Sequence, residues 1–243
     1  MNKVIQGDCL IVMKDIPDGS VDMILCDLPY GTTACKWDTI IPFEPLWEQY
    51  KRIIKDNGAI VLTASQPFTS ALVMSNIKMF KYEWIWEKTK ASNFQLAKHN
   101  PMKLHENILV FYQNKPTYNQ QDLIEGSFKN SRDSISGMTN LAYRKKEFVS
   151  TGKNYNKSVI KVNSVHNPPH PTQKPVALFE YLIKTYTNEG DLVLDNCAGS
   201  GTTGVACKNL NRNFILIEKE PEYIKIINER LGTCTQKQLL PNE

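Results

Sequence analysis

The stretch that most constrains this chain is Val21-Asp22-Met23-Ile24-Leu25-Cys26-Asp27-Leu28-Pro29-Tyr30-Gly31. An apolar, β-branched run ends abruptly in an acid, a proline and an aromatic ring. Such a run, bounded by turn residues, reads as a buried strand, and open α/β sheets place their ligands at the strands' carboxyl ends. The pattern therefore predicts a strand that delivers Asp27 to a ligand crevice. Pro29 has no N–H and a fixed φ, and it biases Leu28 away from the helical region. The Leu28 carbonyl is thereby available to point outward beside the Asp27 carboxylate. Two neighbouring acceptors suit an amine with two hydrogens to donate, and Tyr30 adds a flat face for a planar ring. That describes a pocket for an exocyclic amino group on a nucleobase. The bland alternative is a strand-to-loop turn with a solvated acid.

Around this stretch, strands and helices alternate. Lys3 to Gln6 reads as a strand, and Gly7-Asp8-Cys9 opens a helix to about Ile16. Asp8, at the strand tip, is either an N-cap or a ligand contact. Pro45 to Lys55 has helical spacing (Leu46, Tyr50, Ile53, Ile54) and a stop at Asn57-Gly58. Ala59 to Ala64 is a strand, and Ser65-Gln66-Pro67 starts a helix to about Asn76. Phe80 to Glu87 alternates aromatic and polar residues, a strand whose rings Phe80, Tyr82, Trp84 and Trp86 read as core. Lys88 to His105 reads as a basic loop, with Lys88 a candidate for contact with a phosphate backbone, and Ile108 to Tyr112 as a strand. Val176 to Tyr186 is a helix. Asp191 to Asp195 and Asn213 to Ile217 are strands, the second ending at Glu218, and Pro221 to Leu231 closes the pattern as a helix.

Asp27-Leu28-Pro29-Tyr30 resembles the D-P-P-Y catalytic tetrapeptide of the DNA amino-methyltransferases, which methylate adenine N6 or cytosine N4. His170-Pro171-Thr172-Gln173-Lys174-Pro175 is similar to the H-P-T-Q-K-P signature of the same S-adenosylmethionine-dependent family. The resemblance makes Asp27, Leu28, Pro29 and Tyr30 catalytic. It gives Thr172 and Lys174 to the methionine part of the cofactor, and Asp8 with Cys9 to its adenosine end. Asp27 also borders the cofactor. Leu28 replaces the family's first proline; since its role uses a main-chain oxygen, activity should survive.

Between the strand ending in Asp195 and the helix ending near Asn209 lies Asn196-Cys197-Ala198-Gly199-Ser200-Gly201-Thr202-Thr203-Gly204. Strand, glycine loop, helix, strand and acid form a nucleotide-binding βαβ unit. The G-x-G-x-x-G pattern alone would admit a dinucleotide. Asp195 argues otherwise, because a pyrophosphate would meet a carboxylate there, whereas S-adenosylmethionine brings an ammonium and a sulfonium. Two unit charges about 4 Å apart interact by about 4 kcal/mol at an effective dielectric of 20, so the sign matters. Asp195, Ala198, Gly199, Ser200, Gly201, Thr202 and Glu218 are the expected cofactor residues, with Glu218 toward the ribose hydroxyls. The family's D-x-x-x-G-S-G-T pattern is matched, although Asn196 and Cys197 stand where Pro and Phe are usual.

The motif order, catalytic first and cofactor loop last, is the circularly permuted order of class β. The fold expected is α/β: a Rossmann-like, mostly parallel sheet of about seven strands with helices on both faces and a small irregular insert. In class β the strands bearing Asp195 and Asp27 are adjacent. Residues 1–114 form the catalytic part of the core, 115–167 a target-recognition insert, and 168–243 the cofactor part. A chain of 243 residues has room for one core plus such an insert.

Net charge is +4, yet Lys115 to Lys161 alone holds nine Lys/Arg against four acids. Its apolar periodicity fades, and it is rich in Asn, Ser, Lys and Tyr, so it is either a solvated insert or the base-reading region. Lys129, Arg132, Arg144, Lys145 and Lys146 are its candidate phosphate contacts, joined by Lys36 from the loop after Gly31.

Hydrophobic content of 41% and charged content of 22% are ordinary for a soluble globular protein. No membrane span, signal peptide or metal site is expected, and the location implied is cytoplasmic. The six cysteines lack C-x-x-C spacing and several sit within apolar runs, so buried thiols are expected rather than disulfides or zinc ligands. An acid at the first motif position points to N6-adenine in duplex DNA, with N4-cytosine as the alternative. Partners the resemblance allows are a cognate restriction endonuclease and a second copy of the chain. A non-catalytic DNA-binding specificity module would need neither Asp27 nor the cofactor acids. A protein-glutamine methyltransferase usually carries Asn in place of Asp27. A nicotinamide oxidoreductase leaves Asp-Leu-Pro-Tyr unexplained.

Overall fold

The structure, a computed structural model, describes residues 2–32, 35, 38–92, 94–121, 124–132, 146–165, 173–232 and 236–237. It divides into two compact units, Gln120–Lys157 and the remainder of the chain.

The larger unit is a three-layer α/β sandwich. Its strands are β1 (Asn2–Gln6), β2 (Val21–Asp27), β3 (Ile54–Ala64), β4 (Phe80–Ser92), β5 (Lys103–Phe111), β8 (Val159–Lys161), β9 (Leu192–Asp195), β10 (Asn213–Glu218) and β11 (Gln236–Lys237). They pair in the order β11-β1-β10-β9-β2-β3-β5-β4-β8, parallel except where β5 meets β3 and β4. Among the described residues this sheet has nine strands, the seven or so expected being extended at its edges. The short β8 and β11, at the two edges, lack the apolar run that would betray them.

Successive residues of a buried strand face opposite layers. From β2, Met23 and Leu25 pack with α4 (Val176–Tyr186), α5 (Thr202–Asn209) and α6 (Pro221–Leu231), through Leu182, Ala206 and Ile227. Ile24 and Cys26 pack on the other face with α1 (Cys9–Val12), α2 (Phe43–Ile53) and α3 (Phe68–Ser75), through Val12, Tyr50 and Leu72. Trp84 and Trp86 are buried in the first layer, as their alternation implied. Phe80 falls on the other face, because the β4–β5 register shifts between Phe80 and Tyr82.

Some boundaries move. The helix after Cys9 ends at Val12 and tightens into a 3₁₀ turn over Met13–Asp15. Asn57-Gly58 does not stop a helix: α2 ends at Ile53, and both residues lie within β3. A side chain at Gly58 would come within 2.9 Å of the Asp22 carbonyl and 2.7 Å of Ile54, where the β2–β3 register also shifts. The glycine therefore serves close strand approach. Lys88–Ser92 and Lys103–His105, expected as loop, extend β4 and β5.

The smaller unit, expected to be irregular, holds β6 (Ile124–Arg132) and β7 (Lys146–Asn154), antiparallel from Ile124↔Asn154 to Arg132↔Lys146. Among the described residues no helix is long and apolar enough to cross a membrane, and no metal-ligating cluster forms.

Candidate active site

Strand order reverses between β9 and β2. From β9 the chain runs outward through β10, and from β2 it runs the other way into β3. The two strands pair directly, Met23 with Val193 and Ile24 with Leu194, so Asp195 and Asp27 emerge from neighbouring carboxyl ends. This is the switch point at which doubly wound sheets bind ligands. A cleft of about 1060 Å³ opens there, lined by Asp8, Cys9, Asp27 to Tyr30, Lys174, Asp195, Ala198 to Ser200, Thr202 and Glu218, among others.

The turn after β2 is tightly held. Gly31, at φ +67, and Thr32 donate their N–H groups to the two oxygens of Asp38, each at 2.9 Å. Tyr30 stacks on Phe68 with centroids 5.2 Å apart and donates its hydroxyl to Asp27 Oδ1 at 2.7 Å. Thr63, directly beside Asp27 in β3, donates to the same oxygen. Leu28 is buried.

The other Asp27 oxygen, Oδ2, accepts from Lys174 Nζ at 2.6 Å. That ammonium also lies 3.3 Å from Glu106 Oε2 and 5.6 Å from the Tyr30 ring centre. Lys88 in turn pairs with Glu106 Oε1 at 3.0 Å. Burial alone would lower the Lys174 pKa, but Asp27 and Glu106 together hold it above its ordinary value. For Glu106, burial pushes upward and is overcome by Lys174 and Lys88, so its pKa lies below the carboxylate norm. A chain of alternating charge thus runs from Asp27 through Lys174 and Glu106 to Lys88.

The glycine loop is built from β9 into α5. Ala198 donates to the Ile217 carbonyl at 2.9 Å, and Gly199 and Gly201 take φ of +51 and +77. Gly201 caps α5 without a side chain, and a Cβ there would meet Ile227 at 3.0 Å. Ser200 donates to Gln173 at 2.9 Å and is held by Arg230, while Thr202 Oγ1 lies 3.4 Å from the Lys174 carbonyl. Asp195 accepts from the Cys197 N–H at 3.1 Å and from Thr203 Oγ1. Its burial outweighs these bonds and raises its pKa to about 7. Glu218 accepts from the Gly199 N–H at 2.7 Å and the Glu220 N–H at 2.9 Å, and burial raises its pKa too. Two buried acids beside a left-handed glycine turn fit a cationic, ribose-bearing ligand better than an anionic pyrophosphate.

Most of the expected catalytic and cofactor residues that the structure describes line this one cleft, while Lys88 and Lys174 make contacts other than those expected. Asp8 caps α1 by accepting from the Leu10 N–H at 2.9 Å, although it also lines the cleft. Lys88, expected at a DNA backbone, is largely buried and ion-paired with Glu106. Lys174, expected at the methionine end of the cofactor, has Asp27 as its nearest partner. Lys129, Arg132 and Lys146 are described by their backbone positions on β6 and β7 alone, while Lys36, Arg144, Lys145 and Thr172 lie outside the described residues. Sequence reasoning missed Asp38, Thr63 and Glu106. Counting β3 from its apolar run could have put Thr63 at a strand tip. Nothing local marks the other two.

The family model for DNA methylases of the N6/N4 methyltransferase type matches residues 21–229. The Type II methyltransferase M.HpaI of Haemophilus parainfluenzae is 30% identical over 95% of this chain and 74% of its own length. The DNA adenine methyltransferase YhdJ of Escherichia coli is 31% identical over 96% of this chain and 83% of its own. Among solved structures, the M1.HpyAVI–SAM complex superposes with a TM-score of 0.67 at 27% identity, covering 96% of this chain and all of that one.

Proposed function

The chain belongs to the N6/N4 DNA methylase family, and on that premise we propose that it methylates the exocyclic N6 of a flipped adenine in duplex DNA. S-adenosylmethionine is the donor, and when bound it supplies a methyl group activated by a positively charged sulfur. The observation that carries this reading is the emergence of Asp27 and Asp195 from paired strands into one cleft.

The chain's residues then divide the work. Asp195, Glu218 and the loop from Ala198 to Thr202 hold the donor, with Asp8 and Cys9 at the cleft wall. The target base leaves the duplex, which costs a few kcal/mol. Stacking on an aromatic face such as Tyr30 offsets roughly 1–3 kcal/mol of that. Asp27 and the Leu28 carbonyl accept the two amino hydrogens, which localises the nitrogen lone pair. Pro29 and the Asp38 clasp fix the turn, so positioning and electrostatics supply the catalysis. Attack is direct, with no covalent enzyme intermediate.

Residues 115–167, which contain the compact unit Gln120–Lys157, supply target recognition in this reading: Arg132 and Lys146 are paired positions on β6 and β7, and Lys129 lies on the same strand as Arg132. A cognate endonuclease, a homodimer and a cytoplasmic location accord with it. The test is incubation of the purified protein with labelled S-adenosylmethionine and unmethylated duplex DNA of mixed sequence, then digestion and mass spectrometry of the nucleosides. N6-methyladenine is expected. N4-methylcytosine would keep the mechanism and change the base, and no methylated nucleoside would refute the proposal.

A further inference from the structure

In this structure both Asp27 oxygens already have donors. Oδ1 accepts from Tyr30 and Thr63, and Oδ2 accepts from the Lys174 ammonium at 2.6 Å. The ammonium also lies over the Tyr30 ring, whose other neighbour is Phe68. Lys174 therefore occupies the two places an incoming adenine needs: the acceptor for its amino group and the platform for its ring. An ammonium with 7% of its side chain exposed cannot simply move into water. It has another partner within reach, however. Glu106 Oε2 lies 3.3 Å from the same ammonium, is buried, and among the described residues has no hydrogen-bond partner of proper geometry. Glu106 Oε1 is anchored by Lys88 at 3.0 Å, so the carboxylate stays in place while Oε2 remains available.

The geometry points to Glu106 as a positioning residue that draws the Lys174 ammonium off Asp27 when the target base enters. Lys174 acts as a removable stand-in for the amino group, keeping the Asp27 carboxylate paired until the base arrives. It then shifts from the Asp27 carboxylate to the Glu106 carboxylate. No net charge moves into or out of the site, because Asp27 exchanges an ammonium for an amino group while Lys174 stays paired. The charged and titratable groups facing this exchange are Asp27 and Tyr30 on one side, and Lys88 and Lys103 around Glu106 on the other. The inference rests on the methyltransferase reading of the same site.

Glu106→Gln tests it in the full chain, with single-turnover methylation of mixed-sequence duplex DNA across pH 6.5–10 and S-adenosylmethionine affinity by calorimetry. At pH 7.5 the rate should fall tenfold or more, with donor Kd changed less than threefold. The rate should then recover toward wild type above pH 9, because an ammonium deprived of one carboxylate loses its proton at lower pH and releases Asp27. Glu106→Asp, which retains the charge, should restore most of the rate at pH 7.5. A Glu106→Gln rate within twofold of wild type, or a loss equal at every pH, would overturn the inference and leave Glu106 a structural residue. A wild-type chain that binds the donor and methylates no DNA would instead refute the methyltransferase reading, and this inference with it.

Discussion

Tyr50, buried on α2, donates its hydroxyl to Asn196 Oδ1 at 2.5 Å, tying the helix layer on one face of the sheet to the start of the glycine loop 146 positions later. Asn196 stands where the resembling family has proline. A proline there would need no partner, whereas the asparagine carbonyl is buried and requires one. Replacing Tyr50 by Phe leaves that acceptor unmet, at a cost of about 1–3 kcal/mol. Tyr50→Phe should therefore lower Tm by several degrees and weaken S-adenosylmethionine binding a few-fold, read by thermal melts and calorimetry.

Asp195 sets a trade between stability and binding. Its folded pKa of about 7 exceeds the ordinary 3.8, so the folded state holds the proton more tightly than the unfolded chain. Its contribution to stability is full below about pH 4 and is lost as pH rises through 7. Three pK units correspond to about 4 kcal/mol as an upper figure. Thermal melts of the donor-free protein should show Tm falling from pH 5 to pH 8. Asp195→Asn should flatten that slope and melt higher at pH 8. The same variant should bind S-adenosylmethionine about 10–100-fold more weakly, since a charge-assisted hydrogen bond contributes roughly 1.5–3 kcal/mol.

Asp38 holds the turn after β2 through two backbone N–H groups, those of Gly31 and Thr32. Asp38→Ala should cost about 2 kcal/mol or more, lowering Tm by roughly 4–8 °C. It should also slow turnover about tenfold by loosening Tyr30. A variant that melts lower but turns over at the wild-type rate would show that the clasp serves folding alone.

The alternating strands and helices were legible because buried parallel strands are continuous apolar runs, and Asp27, Asp195 and Glu218 each end such a run. The strands β6 and β7 were not legible: segments such as Gly126-Ser127-Phe128-Lys129-Asn130-Ser131 offer no apolar face. Gly58 misled because glycine serves both a helix end and a close strand contact, and sequence does not distinguish them. The pairing of Lys174 with Asp27 spans 147 positions and depends on where the chain returns to the sheet, which no local pattern records. Glu106 was hidden for the same reason. Its partners come from β4 and from the segment before α4.

In the proposed reaction the Asp27 carboxylate receives the adenine amino group. Wild type and Asp27→Ala, side by side, test it most directly, with methylated nucleosides quantified by mass spectrometry and S-adenosylmethionine Kd measured by calorimetry. Wild type should yield N6-methyladenine and the variant at least about 10²–10³-fold less, with donor affinity retained in both. Undiminished N6-methyladenine from Asp27→Ala would contradict it.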